Sequence, residues 1–296
     1  MDDALKSFLE KFAELERRVR KLAAEDRALR DELARLRQRL LQSEAENAAL
    51  KSQLARRELS QAEARERLNF LIERLNRMQA EGIAQMLRLR RGEQVLDVCC
   101  GYGRHLIPLT GLKYFVTGID LSSCMVREIE NCFAGRPGTP PVLQCDMREI
   151  PFVSRFDAAY LAGTSFGIFP NPEQDLLALE NIFKCLQSRG RLLIDQINPQ
   201  VFFSNSQAVR NSFKLRGQTI EEEVMPVPDW NCYLVNRVLC RGSWKKQWTM
   251  KYRKYDADSL SGLLKKSGFR VREICGDYDG RRYSETSNRM IFVAQK

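Results

Sequence analysis

Residues 95–105, VLDVCCGYGRH, decide the fold. Three of the first four residues are apolar and predict a strand, while Gly101 and Gly103 predict a sharp turn that leads into a helix. Glycine lets the backbone turn tightly and approach a ligand closely. The motif is not GxGxxG, and Asp97, just before the turn, would repel phosphate groups. The segment therefore predicts a site for a ligand with a cationic ammonium group, bound directly or through water.

Around this segment, from about Gly92 to the C-terminus, short apolar strands alternate with amphipathic helices. This alternation predicts an α/β fold, with a parallel sheet and helices on both of its faces. The predicted strands are 94–98, 115–119, 142–144, 158–161 and 191–196, followed by extended segments in 214–254, a helix at 257–267, and strands at 270–275 and 290–294.

Acidic residues follow the second and third predicted strands. Asp120 lies 23 residues after Asp97, and a carboxylate at the tip of the second strand is placed to accept hydrogen bonds from ribose hydroxyls. Asp146, just after the third strand, can accept a hydrogen bond from the exocyclic amine of adenine. A ribose, an adenine and an amino-acid end together describe S-adenosylmethionine.

The order of the motifs LDVCCGYGRH, VTGIDLS, CDMREIPF, FDAAY and LLIDQINP resembles the class I (Rossmann-like) S-adenosylmethionine-dependent methyltransferases, small-molecule branch. The resemblance covers about residues 92–296. It implies methyl transfer by in-line displacement to nitrogen or oxygen of a small or medium-sized acceptor, with S-adenosylmethionine as cofactor. The implied cofactor-binding residues are Asp97, Cys99, Cys100, Gly101, Gly103 and Arg104 in the methionine-end segment, Asp120, Leu121 and Met125 beside the ribose and adenosine, Asp146 and Met147 at the adenine, and Leu161 beside the methyl sulfonium.

The acceptor and any catalytic base stay open at this stage. Candidates for the base are Tyr160, His105 and Tyr278, although His105 opens the helix behind the glycine turn, where a histidine more often supports the loop. The segment 200–255 is an insertion that could cover the acceptor. Its aromatic residues could line such a lid or serve ordinary sheet packing; they are Trp230, Tyr233, Trp244, Trp248 and Tyr252.

Residues 5–78 contain no proline or glycine and predict one long helix. Apolar residues recur in an unbroken heptad register, which predicts a coiled coil over residues 1–58, with 59–91 as a linking helix and domain entry. Position a holds Leu5, Phe12, Val19, Asp26, Leu33, Leu40, Asn47, Leu54, Gln61, Leu68 and Leu75. Position d holds Phe8, Leu15, Leu22, Leu29, Leu36, Ser43, Leu50, Arg57, Ala64, Leu71 and Met78.

Charges beside the heptad seam favour a parallel homodimer. Five facing g–e pairs are opposite in sign, and Asn47 at position a is typical of two-stranded coiled coils. Asp26 at position a has no explanation in this arrangement. The pairs are Lys11 with Glu16, Glu25 with Arg30, Glu32 with Arg37, Arg39 with Glu44, and Glu46 with Lys51.

The net charge of +10 permits an acidic partner, so nucleic acid is not excluded. Residues 1–80 contribute +3 of it and the remainder +7. Alternative functions are therefore an RNA or protein methyltransferase with a basic surface, or a coiled-coil scaffold with a silent methyltransferase fold. The nine cysteines lack CxxC spacing, which argues against a metal site and favours the cytoplasm. No signal peptide or membrane-spanning segment is expected.

Overall fold

The computed structural model describes residues 2–134, 138–203, 208–215, 218–227 and 231–296. It divides into two compact units, Met1–Leu71 and Ile72–Lys296. Among the described residues, no helix combines the length and the apolar character needed to cross a membrane.

The helices and strands follow one another in chain order. They are α1 (Asp2–Met86), β1 (Gln94–Val98), α2 (Leu106–Gly111), β2 (Phe115–Asp120), α3 (Ser123–Phe133), β3 (Val142–Gln144), β4 (Phe156–Leu161), α4 (Pro172–Cys185), β5 (Leu186–Ile197), α5 (Pro199–Phe202), β6 (Val209–Leu215), β7 (Gln218–Val227), β8 (Cys232–Arg241), β9 (Trp244–Arg253), α6 (Ala257–Lys266), β10 (Arg270–Cys275) and β11 (Arg289–Gln295).

The first unit consists of the long helix α1 up to Leu71. The predicted long helix is confirmed, whereas its pairing in a coiled coil stays a prediction. The leucines at the heptad seam whose side chains are described are at least half exposed. Within this unit they are Leu33, Leu36, Leu40, Leu50, Leu54, Leu68 and Leu71, and Leu75, just beyond it, is also about half exposed (52%).

The last turns of α1 belong to the second unit and are buried there. Ile83 and Leu87 are fully buried, and the helix ends at Met86, earlier than the linking helix predicted to reach residue 91. Arg191 of β5 closes this end, because its guanidinium donates to the carbonyls of Leu87 (2.8 Å) and Arg88 (2.9 Å). These bonds satisfy the two carbonyl groups that come directly after the helix end.

A seven-stranded sheet with the order β10-β11-β5-β4-β1-β2-β3 forms the centre of the second unit. The parallel sheet predicted from the sequence is right for β1 to β5, but β11 pairs antiparallel with β5 and β10 pairs antiparallel with β11. For β10 and β11 the connection contains no crossover helix, and a crossover, usually helical, is what joins parallel neighbours.

Strand β5 is longer than predicted. It begins at Leu186 instead of residue 191 because Leu186 pairs with Phe156 of β4, ahead of an irregularity in the pairing of the two strands. The intervening residues, Gln187 to Gly190, have a turn-like composition.

Helices cover both faces of this sheet, as predicted. Two buried clusters result, one on each face. One cluster joins Leu96, Leu161, Ile194 and Phe292 of the strands to Leu179 and Ile182 of α4 and to Leu260 and Leu264 of α6. The other joins Val95, Val116, Ala158 and Ile291 of the strands to Ile83 of α1, Leu106 and Leu109 of α2, and Ile129 of α3.

Strands β6 to β9 form a separate antiparallel sheet in that order. It corresponds to the extended segments predicted between residues 214 and 254. Pro226 does not interrupt β7, since it is the second-to-last residue of the strand and lies opposite Tyr233 of β8. Pro228 and Trp230 lie outside the described residues.

A buried ion pair fastens the end of β9 to α4. The fully buried carboxylate of Asp175 accepts hydrogen bonds from Arg253 Nε (2.9 Å) and from the Tyr255 hydroxyl (2.7 Å). Arg253 also donates to the carbonyls of Phe169 and Pro170. Burial raises the pKa of Asp175, and both Arg253 and Tyr255 oppose that shift.

We expect Arg253→Met to lower the free energy of unfolding by about 3–5 kcal/mol, because it leaves the buried Asp175 without its cation. Urea denaturation of the full chain measures this change. Arg281→Met is the matched control: Arg281 pairs with Asp279 at the surface, where loss of an ion pair has little effect on stability. Equal, small losses in the two variants would contradict the anchoring role of Arg253.

Candidate functional site

The candidate site lies at the carboxyl ends of the parallel strands. Strand β1 stands between β4 and β2, so the chain winds away from β1 in both directions along the sheet. Open α/β sheets bind their ligands at such a switch point, in the crevice beyond the strand ends. The loops that follow β1, β2, β3 and β4 therefore surround the expected ligand site.

The turn after β1 has an unusual backbone. Cys99, Gly101 and Gly103 all have positive φ, at 60°, 54° and 76°. A Cβ on Gly101 would meet no atom within 4 Å, whereas a Cβ on Gly103 would lie 3.2 Å from a side-chain carbon of Ile107. The first glycine therefore faces open space, and the second allows the turn to pack closely against its own helix.

Asp120 joins the end of β2 to this turn. Its two carboxylate oxygens accept hydrogen bonds from the backbone N–H groups of Gly101 (2.8 Å) and Ser122 (2.9 Å). Ser122 in turn caps α3 by accepting from the N–H of Met125 (3.4 Å). Leu121 is mostly exposed. The structure thus brings the predicted ribose and methionine-end residues together.

Asp97 is a buried carboxylate at the end of β1, with only 3% of its surface exposed. Burial raises its pKa to about 8; the Tyr160 hydroxyl opposes that shift most, Asp120 adds to it, and Arg104 opposes it. The Tyr160 hydroxyl is fully enclosed and, among described residues, lacks a partner in full hydrogen-bond geometry. The site therefore contains two buried polar groups, and a cation would stabilise the charged form of Asp97.

Arg104 lies between the turn and the loop after β4. A Cβ on Gly163 would lie 3.2 Å from one Nη of Arg104, so the guanidinium is placed against that loop. Its charge lowers the pKa of both Asp97 and His105. Leu161, predicted to flank the sulfonium, is fully buried at the end of β4, immediately before this loop.

The residues after β3 are partly arranged as predicted. Met147 is buried with its sulfur 3.9 Å from Cys99 Sγ, which brings the predicted adenine end to the glycine turn. Asp146, however, is held by Arg148, which binds it through its backbone N–H (2.8 Å) and its guanidinium (2.6 Å). These bonds lower the pKa of Asp146. Arg148 also stacks over Phe169 at 4.5 Å, and sequence reasoning missed this arginine.

His105 is held in a structural position. It is 5% exposed, its Nε2 lies 3.0 Å from the side-chain oxygen of Gln79, and its ring stacks on Tyr278. Burial lowers its pKa to about 3, so the ring is neutral at physiological pH. The arrangement fits the supporting role that was the alternative to a catalytic base.

Asp195, at the carboxyl end of β5, holds the loop after β4 and the C-terminal segment together. It is fully buried and accepts hydrogen bonds from the Gly163 N–H (2.8 Å), the Tyr278 hydroxyl (2.7 Å) and the Arg289 guanidinium. The third candidate base, Tyr278, is therefore a donor to Asp195, and its pKa is raised by burial. The sequence signalled Asp195 only by its place at a strand end.

The aromatic residues of the insertion divide into two groups. Tyr233 and Tyr252 stack with their ring centroids 5.1 Å apart, whereas Trp244 is 53% exposed at the far end of β9. Arg253, the residue after Tyr252, donates its N–H to the Gly167 carbonyl at 2.7 Å. This end of the second sheet therefore borders the loop after β4.

Comparison with known proteins points to one activity. A family model described as "Methyltransferase domain" matches residues 95–190. The chain is 26% identical over 214 residues to a putative methyltransferase, YqeM, of Bacillus subtilis, which covers 69% of this chain and 84% of that protein. It is 22% identical over 232 residues to the glycine/sarcosine N-methyltransferase of Aphanothece halophytica, which covers 74% of this chain and 82% of that protein.

Solved structures show the same fold at low sequence identity. The CcbJ methyltransferase of Streptomyces caelestis superposes with a TM-score of 0.65 at 16% identity, covering 74% of this chain and 88% of that one. An S-adenosylmethionine-dependent methyltransferase of Clostridium acetobutylicum gives 0.63 at 15% identity, covering 74% and 90%. The sugar N-methyltransferase KedS8 of Streptoalloteichus gives 0.53 at 19% identity, covering 76% and 85%.

The predicted Rossmann-like sheet, enzyme class and cofactor are confirmed by these matches, while the roles assigned to individual site residues stay predictions. The chain is an S-adenosylmethionine-dependent methyltransferase, with its methyltransferase domain matched over residues 95–190.

Proposed function

We propose that the protein methylates an amine nitrogen of a small or medium-sized acceptor. The observation that carries the choice of nitrogen over oxygen is that each candidate base is already engaged or hard to ionise. His105 is neutral and bonded to Gln79, Tyr278 donates to Asp195, and burial keeps the pKa of Tyr160 well above its usual value. A hydroxyl must lose its proton to become a good nucleophile and therefore gains from a protein base. The unprotonated form of an amine can attack the methyl group without such a base.

The residues present fit the cofactor. Asp97 would hold the ammonium of the methionine end, Arg104 its carboxylate, and Asp120 the ribose hydroxyls. The open space over Gly101 leaves room for the ligand, and Met147 offers an apolar contact beside the adenine. Asp146 would act on the adenine only through the lone pairs that Arg148 leaves free. When bound, S-adenosylmethionine supplies an activated methyl group on a sulfonium.

The protein's remaining task is alignment. Bringing the acceptor into line with the methyl group and excluding water supply most of what such a displacement needs. Asp195 contributes by fixing the N–H of Gly163, and hence the loop after β4, against the carboxyl edge of the sheet. Names of two similar proteins support nitrogen as the acceptor atom: a glycine/sarcosine N-methyltransferase and a sugar N-methyltransferase.

We also propose that the N-terminal helix pairs in parallel with a second copy of the chain, through the exposed leucines of the heptad seam. Opposite charges at the g and e positions support this pairing. We further propose a cytoplasmic location, which is supported by the nine cysteines, since none of them forms a disulfide.

Asp120→Asn is expected to weaken binding of S-adenosylmethionine at least about tenfold, since it removes a charge-assisted acceptor from the ribose and from the Gly101 N–H. Isothermal titration of the full chain measures the affinity, and circular dichroism checks the fold. Asp279→Asn, in an exposed loop, serves as the control and should bind normally. Equal affinity in Asp120→Asn and the native protein would remove the ribose role from Asp120.

Binding of S-adenosylmethionine should release about one proton per site at pH 6.5, because Asp97, with its pKa raised to about 8, ionises to meet the ammonium. Titration in buffers of different ionisation enthalpy counts the protons. Asp97→Asn should bind weakly and release none. Binding to the native protein without proton release would show that the ammonium is not on Asp97.

The raised pKa of Asp97 also makes the stability of the unliganded protein depend on pH. Because the pKa of Asp97 is raised in the folded state, the stability it contributes is present below about pH 4 and is lost as the pH rises to about 8. In urea denaturation without cofactor, the free energy of unfolding of Asp97→Asn should therefore increase relative to that of the native protein as the pH rises from 5 to 8.5. An unchanged difference across this range would mean that Asp97 is charged in the free protein.

The double variant Leu36→Lys/Leu40→Lys should convert a dimer into a monomer in sedimentation equilibrium, because it places four charges in the proposed seam of each pair of helices. Leu59→Lys is the matched control: Leu59 is equally exposed but lies outside positions a and d. A monomeric native protein, or a dimer that survives the double variant, would reject the pairing.

A further inference from the structure

One face of the second sheet, called here the inner face, is defined by the stacked pair Tyr233 and Tyr252. Strand residues alternate between the two faces of a sheet, so the register assigns the rest. Arg237 of β8 lies opposite Glu222 of β7 and Trp248 of β9, and all three share the inner face. Arg210 of β6 lies opposite Glu223 on the outer face.

The inner face is joined to the carboxyl edge of the first sheet. Phe203, just after α5, contacts the Tyr233 ring at 5.1 Å, and Ile197, the last residue of β5, packs against the same cluster. The end of β9 is fixed by the Arg253 N–H, which donates to the Gly167 carbonyl in the loop after β4 (2.7 Å). The inner face therefore borders the loops that surround the cofactor site.

Tyr252 lies at the end of the inner face that borders the loop after β4, because the next residue, Arg253, is bonded to Gly167 of that loop. The described partner of its hydroxyl is a weak acceptor, the Met250 sulfur at 3.7 Å. Since a thioether accepts hydrogen bonds only weakly, the hydroxyl can exchange this contact for one to a ligand.

Arg237 and Glu222 form an ion pair that is partly withdrawn from solvent. Arg237 Nε donates to a Glu222 oxygen at 2.6 Å, and the two side chains are 39% and 16% exposed. A guanidinium held through Nε keeps the N–H groups of its outer edge, which suit the two oxygens of a carboxylate or phosphate. On the outer face, the Arg210 side chain of the comparable pair is 80% exposed.

We propose that Arg237 binds an anionic group, a carboxylate or a phosphate, that the acceptor carries in addition to its amine. The Tyr252 hydroxyl, on the same face and four residues along β9 from Trp248, then lies on the side of Arg237 that leads toward the loop after β4. The proposal rests on amine methylation as the proposed function and names the class of acceptor: an amine that also bears an anion. The cofactor's own carboxylate is served by Arg104 and does not compete for Arg237.

Trp248 provides a direct test, because residues opposite each other in an antiparallel pair have Cβ atoms about 5 Å apart. In full-length protein with Trp230→Phe and Trp244→Phe, Trp248 is the remaining tryptophan. With saturating S-adenosylhomocysteine, its fluorescence is followed during titration with sodium acetate, and separately with sodium phosphate, against sodium chloride at equal ionic strength.

The expected result is a saturable fluorescence change with acetate or phosphate, absent with chloride. The anion that saturates at the lower concentration identifies the kind of group on the acceptor. Arg237→Gln should weaken the saturation at least about tenfold, as expected for loss of a charge-assisted bidentate contact. The matched control Arg210→Gln, which breaks the outer ion pair, should leave it unchanged.

Two outcomes would overturn the proposal: no saturation beyond that of chloride, or saturation that Arg237→Gln retains, which would mark general anion binding at the surface. Calorimetric titration of the same samples with S-adenosylhomocysteine measures cofactor binding independently of anion binding. Loss of that binding would count against the cofactor site, whereas anion binding at Arg237 is read from Trp248 alone.

Discussion

The burial of one carboxylate, Asp97, at the end of the central strand is the constraint on which the site depends. A charged group removed from water is costly unless a partner compensates it, and the Tyr160 hydroxyl and Arg104 offset only part of that cost at Asp97. Its raised pKa records that cost. A ligand ammonium removes the cost, so the structure favours a cationic guest at this end of the crevice and disfavours a phosphate.

The surrounding loops are fixed by carboxylates at the ends of other strands. Asp120 holds the glycine turn, Asp195 holds the loop after β4 together with the C-terminal segment, and Asp175 holds the end of β9. Asp175 and Asp195 are fully buried, and each pairs with an arginine, as buried charges require. Loops from separate parts of the chain thereby meet at one edge of the sheet, and the second sheet is anchored beside them.

The local features of the site could be predicted from the sequence, because a strand, a glycine turn and an acidic strand end are each encoded within a few residues. The contacts that decide the role of His105 could not, since they depend on Gln79 and Tyr278 from distant segments. The same holds for Arg289 on Asp195, 94 residues away. Arg148, only two residues from Asp146, was within reach of sequence reasoning. The inner and outer faces of the second sheet follow from alternation, but only the register shows which charges are paired.

The central claim is that the methionine end of S-adenosylmethionine lies on Asp97 and its ribose on Asp120. A crystal structure of the full chain with S-adenosylmethionine tests it most directly. The account predicts the ligand ammonium within hydrogen-bond distance of the Asp97 carboxylate, directly or through one water, and the ribose hydroxyls on Asp120 at about 2.5–3.0 Å. A cofactor bound in the reverse orientation, or with its ammonium on any other residue, would contradict it.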